Sequence, residues 1–222
     1  MLPEIGEEGQ RRLLDSSALI VGVGGLGSPV TLYLAAAGVG RLGLCDTDTV
    51  SLSNLQRQIL YKESEVGIPK VECAARALDA LRHDLRCDLH PYGLTRGNAR
   101  ELIAAYDIVV DCCDNFATRY LIADICRETR RPWVHGCIGA FEGRVTTLLP
   151  SCSARFDDLY PDRTELCSRP PSAGGVLGAV PGVIGSIQAC EALKVLGGFG
   201  EPLCGKLLAV DLLTNRYDII DF

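Results

Sequence analysis

The stretch ALIVGVGGLGSPVTLYLAAAGVG, residues 18–40, predicts a strand, a glycine turn and a helix. Residues 18–23 form a short continuous apolar run, which is typical of a strand buried on both faces. Residues 26–37 are rich in Leu and Ala and predict a helix, and Gly38 follows as the predicted helix stop. The junction fits G-x-G-x-x-G, where backbone and helix N–H groups can approach a phosphate. The glycines expected to bind an adenosine nucleotide are Gly22, Gly24, Gly25 and Gly27.

The rest of the chain alternates between patterns typical of strands and patterns typical of helices. Strands are predicted at residues 41–46, 86–93, 107–115 and 132–139, and helices at 70–81, 98–105 and 117–129. This alternation is typical of a parallel sheet. After residue 142 we expect a strand at 143–150, a helix at 181–196 and a hairpin over 205–222, turning near 214–215. The predicted fold class is α/β: a Rossmann-like, mostly parallel sheet with helices on both faces and a C-terminal mixed or antiparallel extension.

Residues 151–178 are polar and rich in Pro and Gly, without a clear period. We expect a long crossover loop there, and loops of that length are usually functional or disordered.

Composition narrows the function classes. The 222 residues carry a net charge of -6, which argues against a sequence-independent grip on nucleic acid. Neither a leader nor an apolar run of about 18 residues is evident, so we expect no membrane partner and a cytoplasmic protein. The 11 cysteines are expected as reduced thiols, most of them small core hydrophobes, with Cys137 and Cys190 included.

A polar cluster, SNLQRQ at residues 53–58, follows a strand that ends in Asp46. Asp46 stands where an acid can bind a ribose hydroxyl. Ser53, Asn54 and Arg57 can donate to phosphates, and Arg does so in bidentate fashion. Lys70 opens a helix, where its charge opposes the dipole and favours a nearby anion. We infer that Arg57 and Lys70 face one polyphosphate; the alternative is a solvated turn and an ordinary surface lysine.

Acidic residues close the third strong strand. Asp111 and Asp114 are expected at the edge of the sheet where ligands bind, and Mg²⁺ prefers carboxylates together with substrate phosphates. Position favours Asp114, because Asp111 should still lie within the strand. Asp114 precedes Asn115 at a predicted helix start, so a helix cap is the alternative role for Asp114.

With these motifs the sequence resembles the ThiF/MoeB/HesA adenylyltransferases, kin to the adenylation domain of ubiquitin-activating enzymes. The matching stretches are residues 22–60, 66–78, 107–122 and 182–196, in the order of that family. The resemblance implies a single adenylation domain over 1–222, with a nucleotide-binding half (1–140) and a carrier-binding half (141–222). It also implies ATP and Mg²⁺ as cofactors and, as partner, a small ubiquitin-like sulfur carrier protein that ends in Gly-Gly.

The resemblance also assigns roles. Gly25 would contact phosphate and Asp46 the ribose, and Asp114, beside Asn115, would hold Mg²⁺. The triphosphate would be lined by Ser53, Asn54, Arg57 and Lys70. The tail carboxylate of the carrier would attack the α-phosphate and release pyrophosphate. The pathway would be thiamine or molybdopterin synthesis, with the opening residues somewhat more ThiF-like, and a homodimer is expected.

Three departures from that family pattern stand out. The R-Y-x-R-Q segment expected upstream is absent, so either the sequence begins inside a longer protein or adenylation lacks its arginine. Of two C-x-x-C pairs only Cys152 matches, so zinc is not expected. The loop at 151–178 is atypical in length and sequence; Cys167 is its best match to the thiol that such a loop can hold, and the alternative is a bystander cysteine.

Other functions stay open at this point. An NAD-dependent oxidoreductase would explain the glycines and Asp46 but would leave SNLQRQ, Lys70 and Asp114 without a role. A family member that binds ATP or carrier without turnover is a second alternative. A tRNA-modifying dehydratase of the same family is a third, which the acidic charge disfavours.

Overall fold

The computed structural model describes residues 2–168 and 174–222. Within them lies one sheet of eight strands: β1 (Ser17–Val21), β2 (Arg41–Cys45), β3 (Arg86–His90), β4 (Ile108–Asp111), β5 (Trp133–Gly139), β6 (Glu142–Leu148), β7 (Lys206–Asp211) and β8 (Arg216–Asp221). The helices are α1 (Gly6–Asp15), α2 (Gly27–Ala37), α3 (Lys70–Leu81), α4 (Ala99–Ala104), α5 (Phe116–Thr129), α6 (Phe156–Leu159), α7 (Arg163–Ser168) and α8 (Ala179–Gly197).

The strand order is β3-β2-β1-β4-β5-β6-β7-β8. The neighbours from β3 to β5 pair in parallel, and those from β5 to β8 pair antiparallel. The predicted α/β class with an antiparallel C-terminal extension is therefore confirmed. The order changes direction between β1 and β4, and ligands bind at such a point, outside the carboxyl ends of the strands.

Two apolar clusters form the core, one on each face of the sheet. Along β1 every residue is buried, and successive side chains point to opposite faces. Ile20 joins the cluster that includes Leu34 of α2 and Ile184 of α8. Leu19 joins the other cluster, with Ile103 of α4 and Ile122 of α5. The central strands thus read as continuous apolar runs because both of their faces are covered.

Helix α8 is a long apolar segment, although the sequence analysis found no apolar run of about 18 residues. Its 19 residues would suffice by length and composition to cross a membrane. In the fold it packs against α2, β5 and β6. Its buried Glu191 accepts hydrogen bonds from Thr147 Oγ1 (2.6 Å) and from the backbone N–H of Leu203 (2.7 Å). These contacts are those of a core helix in a folded domain.

Several boundaries differ from the sequence predictions. The strand predicted at 107–115 ends at Asp111, and α1 was not predicted. The expected crossover loop at 151–178 contains two short helices, α6 and α7, while its residues 169–173 lie outside the described part. The terminal hairpin is confirmed, with Asn215 in a left-handed conformation (φ 57°) at its turn.

Candidate active site

The glycine turn joins β1 to α2 and requires glycine at two positions. Gly22 has φ 93°, and a Cβ there would lie 2.6 Å from the carbonyl oxygen of Cys112. A Cβ on Gly27 would lie 2.2 Å from the carbonyl oxygen of Gly22. Both distances are too short for any side chain. Gly22 and Gly27 therefore shape the turn itself and bring it against the chain that follows β4.

The SNLQRQ segment packs directly over this turn. A Cβ on Gly24 would lie 3.3 Å from Nε2 of Gln58, and a Cβ on Gly25 would lie 3.6 Å from Cδ of Arg57. Pro181, at the start of α8, closes on Gly25 at 3.2 Å from the same Cβ position. Arg57 is half-buried and also donates to the carbonyl of Ser53 (3.2 Å). The structure thus places Arg57 beside Gly25, and the sequence analysis missed Gln58 and Pro181.

Asp46 connects the end of β2 to the glycine turn. Its Oδ2 accepts from the backbone N–H of Val23 (2.8 Å), and its Oδ1 accepts from that of Asp48 (2.8 Å). The Tyr61 hydroxyl donates to the Val23 carbonyl (2.5 Å), so Val23 is held on both sides. Carboxylate oxygens accept more than one bond each, so Asp46 can still bind a ribose hydroxyl. Its role as ribose ligand remains a prediction.

Ser53 and Asn54 lie in a short 3₁₀ turn, Leu52–Asn54. The Asn54 Oδ1 atom accepts from the backbone N–H of Ser51 (3.4 Å), and the hydroxyl oxygens of Ser51 and Ser53 lie 3.0 Å apart. Ser53 is exposed and Asn54 half-buried. The turn keeps both side chains in the segment that covers the glycines, and their contact with a triphosphate remains a prediction.

Lys70 is the first residue of α3 and is only 4% exposed. Its Nζ atom lies 2.8 Å from Oδ2 of Asp48. The sequence analysis inferred a bound anion from the unfavourable position of this charge at a helix start. The carboxylate of Asp48 provides part of the negative charge that was expected from a bound anion. The side chain of Asp48 is itself 65% exposed. Phosphate binding by Lys70 therefore remains a prediction, and the ion pair with Asp48 is a competing structural role.

Asp114 and Asn115 follow β4 and have different surroundings. The Asn115 Oδ1 atom accepts from the backbone N–H of Thr118 (2.9 Å), which makes Asn115 the cap of α5. The alternative that Asp114 is the cap is therefore wrong. Asp114 is exposed, and within residues 2–168 and 174–222 it forms no ion pair, although the Asn115 amide lies 3.4 Å from it. Asp111 is fully buried, as its position in the strand predicted.

A second cluster of ionisable side chains, which the sequence analysis missed, surrounds Asp111. Its Oδ2 atom lies 2.7 Å from Nδ1 of the fully buried His135 on β5. The guanidinium of Arg119 approaches the same oxygen at 3.8 Å. Burial alone would raise the pKa of Asp111, but its hydrogen bond to His135 and the nearby positive charges hold that pKa below its usual value. The carboxylate is thus built into the fold as an anion.

The cysteines divide into core and exposed positions. Cys45, Cys73, Cys112 and Cys126 are buried as expected, whereas Cys190 is exposed and Cys137 is half-buried. Cys167 lies on α7, not in a loop as expected, and is exposed. Helix α7 packs against α5, and Arg163 at its start pairs with Asp124 (2.5 Å). The role of Cys167 as a reactive thiol remains a prediction.

Metal-ligating side chains are sparse in the described residues. No three of His, Cys, Asp or Glu come together there to hold an ion. Cys152 interacts with Cys204, and both are half-buried. An exposed carboxylate such as Asp114 suits Mg²⁺, which keeps waters and binds through one or two carboxylates plus substrate phosphates.

Comparison with known proteins decides the family. The ThiF family profile matches residues 1–222. The chain belongs to the ThiF family. This ThiF-family chain is 47% identical to the maize protein named adenylyltransferase and sulfurtransferase MOCS3-1, over 99% of the chain and 47% of the relative. It thus spans about half the length of that relative.

Two prokaryotic relatives match over more of their own length. The SAMP-activating enzyme E1 of Haloferax volcanii is 44% identical over 100% of the ThiF-family chain and 82% of the relative. The sulfur carrier protein adenylyltransferase of Thermus thermophilus is 45% identical over 98% and 82%. Among solved structures, E. coli MccB with ATP superposes with a TM-score of 0.85 at 21% identity, covering 96% of the chain and 66% of MccB. That likeness shows the shared fold.

Proposed function

We propose that this chain uses ATP and Mg²⁺ to adenylylate the C-terminal Gly-Gly of a small ubiquitin-like sulfur carrier protein. One observation carries the proposal: the SNLQRQ segment lies over the glycine turn, with Arg57 beside Gly25. An NAD-dependent oxidoreductase needs no such polar cover on its phosphate turn. The names of the Thermus thermophilus and maize relatives, both adenylyltransferases, agree with the proposal.

The proposed reaction forms an acyl-adenylate. The terminal carboxylate of the carrier attacks the α-phosphorus of ATP, the bond from that phosphorus to the bridging oxygen breaks, and pyrophosphate leaves. The chain needs no general base, because a carboxylate with an ordinary pKa is ionised at pH 7. Its task is to position the reactants and neutralise charge, which are the main sources of catalysis in phosphoryl and related transfers.

Each site residue then has a task that its position permits. The turn N–H groups, with Ser53, Asn54 and Arg57, bind the phosphates, and Asp46 binds the ribose. Lys70 exchanges part of its pairing with Asp48 for a phosphate oxygen when ATP binds. Asp114 would hold Mg²⁺, which would neutralise phosphate charge when bound.

The partners and setting complete the proposal. The carrier would serve thiamine or molybdopterin synthesis, and the carrier that supports exchange identifies the pathway.

We propose a cytoplasmic homodimer. The described cysteines are all free, which fits a reducing compartment. Leu213, Tyr217 and Ile219 expose apolar surface on the β7–β8 hairpin, which fits a protein contact. Sedimentation analysis of the purified chain tests the homodimer.

ATP–pyrophosphate exchange tests the activity. Purified chain is mixed with ATP, Mg²⁺, labelled pyrophosphate and a candidate carrier, and the control carrier lacks its two terminal glycines. We expect exchange only with the intact tail. Arg57→Ala and Asp114→Ala should each lower the rate by about 100-fold or more, the typical loss when a charge-stabilising group is removed. Exposed residues elsewhere serve as matched controls, Arg216→Ala on β8 and Asp79→Ala on α3.

Two results would overturn the proposal. Exchange that proceeds equally with the truncated carrier would show that the tail is not the substrate. Wild-type rates in both Arg57→Ala and Asp114→Ala would show that the assigned residues do not serve the reaction.

A further inference from the structure

A cavity of about 340 Å³ lies at the end of the sheet opposite to the candidate active site. It is lined by the first residue of β5, the last residue of β6 and the C-terminal part of α5. The glycine turn and Asp114 lie instead at the carboxyl ends of the parallel strands. The seven residues of β5, at about 3.3 Å each, separate these two ends by about 20 Å. The cavity is therefore distinct from the site proposed for ATP.

The inner wall of the cavity is apolar and includes the only tryptophan of the chain, Trp133. Trp133, Phe156 and Leu148 line this wall and are 3%, 2% and 8% exposed. The ring centroids of Trp133 and Phe156 lie 5.4 Å apart. Aromatic and aliphatic walls of this kind accommodate an apolar or flat group of a ligand.

The rim of the cavity is basic. Four arginines line it, from the end of α5, the connection to β5 and the segment before α6: Arg127, Arg130, Arg131 and Arg155. The whole chain has a net charge of -6, so this convergence of positive charge is a local feature. The fork of a guanidinium matches the paired oxygens of a carboxylate or a phosphate. The rim thus has the chemistry of an anion site.

Two carboxylates also line the cavity, Asp124 and Asp157, and both face another arginine. Arg163 donates to the two oxygens of Asp124 (3.3 and 2.5 Å). The charge of Asp157 helps to raise the pKa of the same guanidinium. Arg130 and Arg155 are exposed, and neither forms an ion pair with a residue in the described ranges. The guanidinium groups of Arg130 and Arg155 are therefore available to an anion.

The backbone of Arg130 is left-handed, with φ 55° and ψ 36°, where it caps α5. Helices α2 and α8 end in the same conformation, but with Gly38 and Gly198. Glycine adopts this conformation freely, whereas a residue with a Cβ does so at a cost. The backbone alone thus disfavours an arginine at this cap. Two roles of its side chain could offset that cost, attraction to the helix dipole and binding of an anion, and a variant can separate them.

We propose that this cavity binds a small anion with an apolar or aromatic body, of the class of aromatic carboxylates and phosphate esters. Arg130 and Arg155 bind the anionic head, and Trp133 and Phe156 contact the body. Ligand sites usually measure about 300–1,000 Å³, and the cavity is at the lower end of that range, so the ligand is small. The proposal is independent of the proposed adenylation, because none of these residues is assigned to ATP or the carrier.

Fluorescence of the single tryptophan tests the site directly, without ATP or carrier. Phenyl phosphate and benzoate are titrated separately into the purified chain, and the tighter binder identifies the preferred head group. We expect a saturable change in the fluorescence of Trp133 with at least one of them. Inorganic phosphate, which lacks the ring, and benzyl alcohol, which lacks the charge, should each bind about tenfold more weakly or worse. No saturable response to either aromatic anion, or equal affinity for benzyl alcohol, would overturn the proposal.

Two variants locate the anionic head. Arg155→Gln and Arg130→Gly should each raise the Kd of the aromatic anion about tenfold or more, the loss expected for one hydrogen bond to a charged group. Arg216→Gln, at an exposed arginine of β8, is the matched control and should leave Kd unchanged. Wild-type affinity in both cavity variants would overturn the proposal.

Arg130→Gly also separates ligand binding from a structural role. Glycine suits the left-handed cap, so the variant should unfold at the same urea concentration as wild type or at a higher one. An arginine that serves only the helix dipole would give the opposite pattern, lower stability with an unchanged Kd, and that result would overturn its role in binding.

Discussion

The ammonium of Lys70 lies 2.8 Å from Oδ2 of Asp48 and is almost entirely buried, while Asp48 faces solvent. This pair links the first turn of α3 to the segment after β2. It gives Lys70 two possible partners, a carboxylate of the chain and a phosphate of the substrate, and mutagenesis can separate them.

Lys70→Ala should lower ATP–pyrophosphate exchange by about 10²- to 10³-fold, because a buried cation at the phosphate site would be lost. Asp48→Asn should lower exchange only a few-fold, since it removes the internal partner and keeps the ammonium. Lys62→Ala, at an exposed lysine, is the matched control. Equal losses in Lys70→Ala and Asp48→Asn would show that the pair serves the fold and not the nucleotide.

Two glycines of the turn should respond differently to a methyl group. Gly27→Ala should destabilise the protein by about 3 kcal/mol, the upper end for overpacking, because the new Cβ meets backbone. Gly25→Ala should fold within about 1 kcal/mol of wild type but raise the KM for ATP about tenfold, since the methyl occupies the surface beside Arg57. Urea unfolding and exchange kinetics measure the two effects.

Gly182→Ala is the control for that comparison, because among the described residues no atom beyond its chain neighbours and the nearby backbone of its own helix lies within 4 Å of the position of its Cβ. In helix α8 it should stabilise by up to about 1 kcal/mol. If Gly25→Ala bound ATP as tightly as wild type, Gly25 would not face the phosphates.

Asp111→Asn should destabilise the protein by about 3–5 kcal/mol at pH 7, because it leaves His135 and Arg119 buried with less compensating charge. The pKa of Asp111 is lowered in the folded state. Its contribution is therefore complete above the unfolded pKa of about 3.9 and is lost as pH falls through the lower folded pKa. Burial alone would lower the pKa of His135, but the hydrogen bond with Asp111 raises it in the folded wild type. Urea unfolding should therefore show a wild-type advantage that widens as pH falls from 7 to about 5 and narrows only below about 4.

Asp84→Asn is the matched control for the pH series. Asp84 is an exposed carboxylate whose pKa is also lowered, chiefly by its hydrogen bond with Arg82. It should change stability little, because an exposed ion pair is screened by solvent. A wild-type advantage over Asp111→Asn that narrows between pH 7 and 5 would contradict the buried anion.

Thermal unfolding should separate a nucleoside triphosphate from a dinucleotide. ATP·Mg at 100 times its dissociation constant should stabilise by about 2.7 kcal/mol and raise Tm by about 5–10 °C. NAD at the same concentration should raise it by less than about 1 °C, because the polar cover on the turn has no role with that ligand. Stabilisation by NAD and not by ATP·Mg would favour the oxidoreductase. Arg57→Ala should reduce the ATP·Mg shift.

The parallel part of the fold was predictable because its signals are local. The strand β1, the glycine turn and α2 follow each other within residues 17–37, and each has a distinct composition. Boundaries set by tertiary contacts were not predictable. Strand β4 stops at Asp111, where Oδ1 accepts from the backbone N–H of Cys113 (3.1 Å). Helices α6 and α7 are too short for a visible period, and α6 is anchored by Phe156 packing between Tyr120 and Trp133.

The candidate site shows the same contrast between residues predictable from local sequence and contacts set by the tertiary fold. Arg57 could be placed near the turn because a polar cluster that follows a buried strand so closely must lie at the end of the sheet where ligands bind. The pairing of Lys70 with Asp48 spans 22 residues, and that of Asp111 with His135 spans 24. Such pairs depend on which strands become neighbours and in what register.

The β5–β6 hairpin has a mechanical consequence. Its seven residue pairs run without a break from Trp133–Leu148 to Gly139–Glu142, and β6 pairs in turn with β7. The chain before and after residue 140 therefore belongs to one continuous hydrogen-bonded sheet. Closure of the two halves about this hairpin would have to break the backbone hydrogen bonds of that ladder. Access of the proposed carrier tail to the carboxyl ends of the strands would therefore be controlled by chain outside the sheet.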